Sequence, residues 1–236
     1  MQYKKAQIPT QVYKNYNYEK MNYTGIAGLL FKINHWLLEL GVDHKYNEHI
    51  LEIGGGAKPH LDFIKFKNVK SYTILDDKKI FYKSYQVIKK KNKNIKVIFL
   101  DYKKDKIKKF FYTRLISSHT FEHFSNFEDG FLKILASMKK NSLLSVALPC
   151  DPGSFWRILQ YFSYFKQKKI YGWKNFLQKD LDDARDHLTP VQNIIKILNY
   201  YFNKKFLIYF PFLVPLISLN IFIIIQIKLS DFKNKI

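Results

Sequence analysis

Between residues 48 and 150 short apolar runs recur at a steady interval. They occupy 50–53, 72–75, 96–100, 115–118 and 143–148, and helix-length segments or polar turns separate them. Strands alternating with helical stretches predict an α/β fold, with a parallel sheet covered by helices on both faces. Before this rhythm, "TGIAGLLFKINHWLLEL" (24–40) has the spacing of an amphipathic helix, with Thr24 as its cap and Gly41 at its end. Within it, Ser125-Asn-Phe-Glu128 reads as a capping box in front of "DGFLKILASMKK". Thr189-Pro190 places a cap and a first-turn proline before "VQNIIKILNYYF". The stretch between Cys150 and Leu188, rich in Trp, Phe and Tyr, reads as irregular and is too long for an ordinary connection. It follows the fifth strand, where a cover over a substrate is expected.

Residues 206–227 carry no charge and match a membrane span in length. Pro211 and Pro215 in the middle, with Asn220 and Gln226, argue against a spanning helix. Two buried strands, "FLIYFPF" and "NIFIIIQIKL", joined by a proline-containing loop, explain the same letters.

The 236 residues fit one compact domain, and 47% hydrophobic with 17% aromatic residues supply an ample core. Cys150 is the only cysteine, which excludes an internal disulfide and a cysteine-built zinc site and points to a reducing, cytoplasmic setting. The first residues lack the apolar stretch of a secretory signal. A net charge of +21 would attract nucleic acid, acidic lipid or an anionic substrate. Arginine occurs only at 114, 157 and 185, however, and lysine is spread from end to end. The charge therefore reads as solvated faces, with 89–93 as a helix end, more readily than as a nucleic-acid groove; weak association with an anionic membrane stays open.

The first strand ends in "LEIGGGAKPH" (51–60). Gly54, Gly55 and Gly56 at the carboxyl end of a first strand allow a sharp turn and a close ligand approach, with the amides of a following helix available to it. Pro59 stands where a dinucleotide fingerprint needs its third small residue, and Ala57-Lys58-Pro59 is not a phosphate loop. "HTFEH" (119–123) fits the H-x-x-E-H zinc pattern. That pattern needs one continuous helix, whereas a strand precedes these residues, a new helix follows them, and no third-ligand region stands out. No metal is expected.

The motifs "LEIGxGxxP" and "SSHxxEH" resemble class I S-adenosylmethionine-dependent methyltransferases, in particular the small-molecule, type 11-like family. The resemblance covers 48–150 well and the rest in outline. It implies a Rossmann-like, doubly wound sheet of about seven strands with the last antiparallel. It also implies S-adenosyl-L-methionine as cofactor. Glu52 with the three glycines would frame the methionine part, Asp76 and its neighbour Asp77 would meet the ribose, and Asp101 with Tyr102 would lie beside the adenine. The ribose role agrees with the chemistry, since a carboxylate about twenty residues past the glycine turn can accept both ribose hydroxyls. Ser118 completes the cofactor set at the end of the fourth strand. Thr113 and Asn141-Ser142 depart from the family pattern.

His119 is the first candidate for a general base and His123 the second, with Asp186 and His187 on the cover for base work or substrate binding. Arg157 and Arg185 would grip an anionic group of the acceptor. The expected organisation is an N-terminal helical cover (1–48), a cofactor core (49–150), a substrate cover (151–188) and a closing helix and strand pair (189–236). Members of such families act on small molecules, including sugars and surface-glycan precursors, which makes a sugar-type oxygen the expected acceptor. An RNA methyltransferase and a noncatalytic membrane-associated protein remain the competing readings.

Overall fold

The computed structural model describes residues 23–64 and 68–233. Seven strands form one sheet: β1 (His49–Ile53), β2 (Ser71–Asp76), β3 (Lys96–Asp101), β4 (Tyr112–Ser118), β5 (Met138–Pro149), β6 (Phe206–Phe210) and β7 (Phe222–Lys228). Their order is β3-β2-β1-β4-β5-β7-β6. β1 to β5 pair in parallel, and β7 runs antiparallel to both β5 and β6. The doubly wound sheet and the antiparallel last strand are as expected. Six α-helices are described: α1 (Gly25–Leu38), α2 (Lys78–Lys91), α3 (Phe127–Leu135), α4 (Ser154–Tyr171), α5 (Phe176–Asp186) and α6 (Val191–Tyr201).

Strand periodicity divides the core. Leu51 and Ile53 of β1 and Ile223, Ile225 and Ile227 of β7 face one layer with Phe131 of α3 and Ile194 and Leu198 of α6. Ile50, Ile74, Phe222 and Ile224 face the other with Leu37 and Leu38 of α1 and Tyr85 of α2. Successive side chains pointing to opposite faces make both faces apolar, so the strands read as continuous hydrophobic runs. The uncharged 206–227 stretch is thus β6, a loop and β7. Among the described residues no helix is long and apolar enough to cross a membrane.

Several local expectations need correction. The 150–188 stretch is helical: α4 ends on Gly172 in the left-handed conformation, and Asn175 caps α5 by accepting from the Gln178 amide. Its aromatic residues hid the period, because they pack between the two helices, as Tyr161 and Tyr164 do against Phe176. The cap of α3 is Asn126, accepting from Asp129 N–H, rather than Ser125. Thr189 donates to the Phe124 carbonyl, and α6 starts after Pro190 with no side-chain cap. Thr24 does precede α1 but makes no cap hydrogen bond. The glycine turn runs into a short 3-10 turn, His60–Phe63, where an α-helix was expected. Residues 1–22, which hold the chain start and the first part of the expected N-terminal cover, lie outside the described residues.

One buried cluster joins the layers at the sheet centre. Arg114 of β4 is fully buried, forms an ion pair with Glu39 (2.7 Å), and donates to the Leu38 carbonyl, Asn47 and Ser145. Glu39 also accepts from His60 Nε2 at 2.7 Å, which leaves His60 Nδ1 to accept from His35 Nδ1 at 2.8 Å. Burial opposes ionisation of Glu39, but the His60 hydrogen bond and the Arg114 charge outweigh it and hold its pKa at about 2. A carboxyl depressed from 4.5 to about 2 contributes roughly 3 kcal/mol, present above about pH 4.5 and lost as the pH falls through about 2. Glu39→Gln strands the buried guanidinium and is expected to cost about 3–5 kcal/mol at pH 7. Urea unfolding should show that difference shrinking as the pH is lowered from 5 to 3, because only the wild type loses its contribution there; an unchanged difference contradicts the assignment.

Candidate active site

The strand order reverses between β1 and β4, and in doubly wound sheets ligands bind in the crevice outside the carboxyl ends of the strands at that point. Gly54 and Gly56 lie there with positive φ, +72° and +54°. A Cβ on Gly54 would sit 2.0 Å from Thr120 Oγ1, and one on Gly55 would meet Ile74 and Glu52. These two glycines therefore serve packing: Thr120 fills the space above Gly54 and donates to the Ile53 and Ser118 carbonyls. Gly56 differs. Among the described residues a Cβ there would find nothing closer than the Tyr23 hydroxyl at 3.9 Å, so this glycine has room for a ligand beside it.

Glu52 lies beneath the turn, buried, accepting from the His60 amide (2.9 Å) and the Tyr72 hydroxyl (2.7 Å). Burial pushes its pKa up to about 7, against the pull of those two donors. It holds the glycine loop in shape from below. Asp76, at the end of β2, accepts from the Gly56 amide and from the Asp77 amide, each at 2.7 Å. Burial raises its pKa, partly offset by those amides. The Tyr85 hydroxyl also approaches it; a carboxylate has about four acceptor positions, so capacity remains for a ribose hydroxyl.

Asp101 pairs in register with Asp76 at the end of β3. It accepts from Lys103 N–H, and Lys103 forms an ion pair with Asp77 and lies over the exposed Tyr102 ring, 5.0 Å from its centroid. Gly56, Asp76, Asp77, Asp101 and Tyr102 thus share one rim. On the other side of the crevice Ser118 accepts from Asn34 of α1, and Phe31 of α1 packs against His119 at 5.6 Å. The second half of α1 therefore reaches the ends of the strands.

His119 adopts a positive φ of +51°, costly for a residue with a Cβ and held by its N–H to the Ala147 carbonyl. Burial first, then the charges of His187 and His123, lower its pKa to about 3. A ring so reluctant to take a proton is a weak base. Residues 121–123 form a 3-10 turn, so His119 and His123 do not share the face of a helix. His123 instead turns toward α5, where its Nδ1 donates to the Asp186 carbonyl (3.0 Å) and lies 3.3 Å from the Asp186 carboxylate. Burial opposes its charge, but Asp186 and Glu122 outweigh that and hold it up at about 9. His187 donates from Nδ1 to Asp151 at 2.6 Å.

A cavity of about 170 Å³ opens beside these groups, lined among others by Glu122, Asp151, Arg157, Gln160, Asp183 and His187. His187 belongs to it, whereas Arg157 is bonded to Asp180 at 2.6 Å and Arg185 lies 3.6 Å from Asp182 outside its wall. Sequence reading missed Thr120, Asn34, Asp151, Gln160 and Asp183. Only Asp151, just beyond the fifth strand, stood at a position that could have been suspected.

No family model and no curated protein matches the chain. Solved structures do. A protein of Methanococcus maripaludis described as an S-adenosyl-L-methionine-dependent methyltransferase aligns over 93% of both chains, at 15% identity and a TM-score of 0.58. The fold is that of class I S-adenosylmethionine-dependent methyltransferases. A SAM-dependent methyltransferase of Thermotoga maritima aligns over 91% of this chain and 96% of its own, at 10% identity and a TM-score of 0.57. Phosphoethanolamine N-methyltransferase 2 of Haemonchus contortus, solved with phosphomonomethylethanolamine and S-adenosylhomocysteine, aligns over 82% of this chain at 13% identity and a TM-score of 0.57. The chain spans 43% of that enzyme's length.

Gly54→Ala combines a left-handed backbone with overlap on Thr120. It is expected to destabilise the protein by about 2–4 kcal/mol in urea unfolding; a loss below about 1 kcal/mol would mean that the loop yields freely.

Proposed function

We propose that the chain is an S-adenosylmethionine-dependent methyltransferase that methylates an oxygen of a small, hydroxyl-rich acceptor, such as a sugar, nucleotide sugar or surface-glycan precursor. The observation that carries the reading is Asp76: tied to the glycine turn through the Gly56 amide, it keeps acceptor capacity at the rim of the switch-point crevice. Bound S-adenosylmethionine supplies a methyl group on a positively charged sulfur. The chain's task is then alignment and exclusion of water. Asp76 holds the ribose, Asp101 and Tyr102 border the adenine, and Gly56 leaves room for the methionine part. Ser118 and His119 stand at the end of β4, where His119 Nδ1 lies 3.9 Å from Glu122 of the cavity wall.

The cavity wall supports a polyhydroxylated acceptor: Asp183 already accepts from Lys179 and Gln160 Nε2 and Asp151 from His187, and the other oxygens of Asp151, Gln160 and Asp183 are acceptors suited to hydroxyls. It gives little support to an anionic group. Glu122, Asp151, Asp180 and Asp183 line it beside Arg157, which is already paired with Asp180. His187, oriented by Asp151, replaces His119 as the group that assists the acceptor hydroxyl.

Asp76→Ala is expected to weaken S-adenosylhomocysteine binding ten- to a hundredfold with an unchanged circular-dichroism spectrum, as loss of hydrogen bonds to a charged group implies; unaltered affinity sinks the site. Transfer of labelled methyl from S-adenosylmethionine to a panel of sugars and nucleotide sugars tests the acceptor. His187→Ala should lower kcat about 10²- to 10⁴-fold at unchanged S-adenosylhomocysteine affinity. A panel that accepts label only on amines would overturn the oxygen acceptor.

A further inference from the structure

One ligand atom from each of Glu122, His123 and His187 lies within 4.8 Å of the others. The ring nitrogens facing this point follow from the hydrogen bonds. His187 Nδ1 is committed to Asp151 and His123 Nδ1 to Asp186, which leaves Nε2 of each ring as the atom that binds a metal once its proton is displaced. His123 Nε2 lies 3.9 Å from Glu122 Oε1. A metal-binding histidine ordinarily donates its other N–H to a carboxylate or carbonyl, which fixes the tautomer and aims the ring; both histidines here are held in that way. The third group matches. Glu122 is 3% exposed, and its Oε2 is buried without a hydrogen-bond partner among the described residues. A buried carboxylate oxygen left unpaired is costly unless something positive meets it.

We propose that Glu122, His123 and His187 bind a divalent first-row transition metal, with an open coordination position toward the acceptor cavity. Two imidazoles and a carboxylate form a donor set suited to zinc and its neighbours, and three protein ligands are the number that leaves room for a further oxygen. Metal–ligand lengths of about 2.0–2.1 Å set the donors roughly 3.4 Å apart. The present spacing reaches that by side-chain adjustment of about 1 Å. His119, the first histidine of H-x-x-E-H, takes no part, and the third donor comes instead from the end of α5. The ion would therefore tie the α4–α5 cover to the turn after β4. Glu122 and His187 both line the cavity, so the open position faces the acceptor. That an acceptor hydroxyl occupies it rests on the methyltransferase reading, in which His187 would then act on that hydroxyl as a ligand of the ion rather than as a free base; the binding itself does not.

The test is titration of the chelator-stripped full chain with Zn²⁺ by calorimetry and with Co²⁺ by visible absorption. S-adenosylhomocysteine is titrated into the same samples. The expected result is one ion per chain at micromolar affinity or tighter, with Co²⁺ bands of a nitrogen- and oxygen-ligated site. His187→Ala and Glu122→Gln, each verified as folded, should both weaken binding at least tenfold. Asp151→Asn, acting only through His187, should weaken it about 10- to 100-fold. No binding by the wild type, or binding unchanged in both ligand variants, overturns the metal site. Failure to bind S-adenosylhomocysteine, with metal binding intact, would instead count against the methyltransferase reading.

Discussion

The Arg114 guanidinium and the Glu39 carboxylate are the contact on which the rest of the arrangement depends. Arg114 stands on β4 beside the centre of the sheet, fully buried, and its charge would be intolerable without Glu39 at the end of α1. Glu39 in turn receives His60, the residue that closes the glycine loop. A single buried pair thus fixes the end of α1, the middle strand and the far side of the cofactor turn relative to one another. His35, Asn47, Ser145 and the Leu38 carbonyl satisfy the remaining donors and acceptors, so the cluster is closed.

From that fixed point the site follows by short steps. Glu52 grips the His60 amide from below and Asp76 grips the Gly56 amide from the rim, so the loop is held at both ends by carboxylates. Thr120 packs into the place where Gly54 lacks a Cβ, locking the turn after β4 against the turn after β1. The two loops meet at the switch point, and α5 brings His187 and Asp186 to the same place from the cover. Cofactor rim and acceptor cavity are thereby built from separate elements around one crevice.

The strands were legible because they are buried on both faces and bounded by polar segments; β7, with Ile223 to Ile225 fully buried, is the clearest. The acids at the ends of β2 and β3 were legible for the same reason, since a strand's end fixes where its last side chain points. The helices α4 and α5 were not, because their aromatic residues pack against one another and leave Phe162 and Phe165 exposed, which blurs a one-sided stripe. The roles of the motif histidines were also hidden. His119 and His123 are distinguished by a 3-10 turn and by partners on α5, Asp186 and His187, that no local spacing reveals. Arg114 read as one of three scattered arginines until its burial was known.

The central claim is that the crevice between the glycine turn and Asp76 holds S-adenosylmethionine. Calorimetric titration of the wild-type chain with S-adenosylhomocysteine tests it most directly. The account predicts one site per chain with micromolar affinity, whereas a folded chain that takes up none of the ligand at millimolar concentration would contradict it.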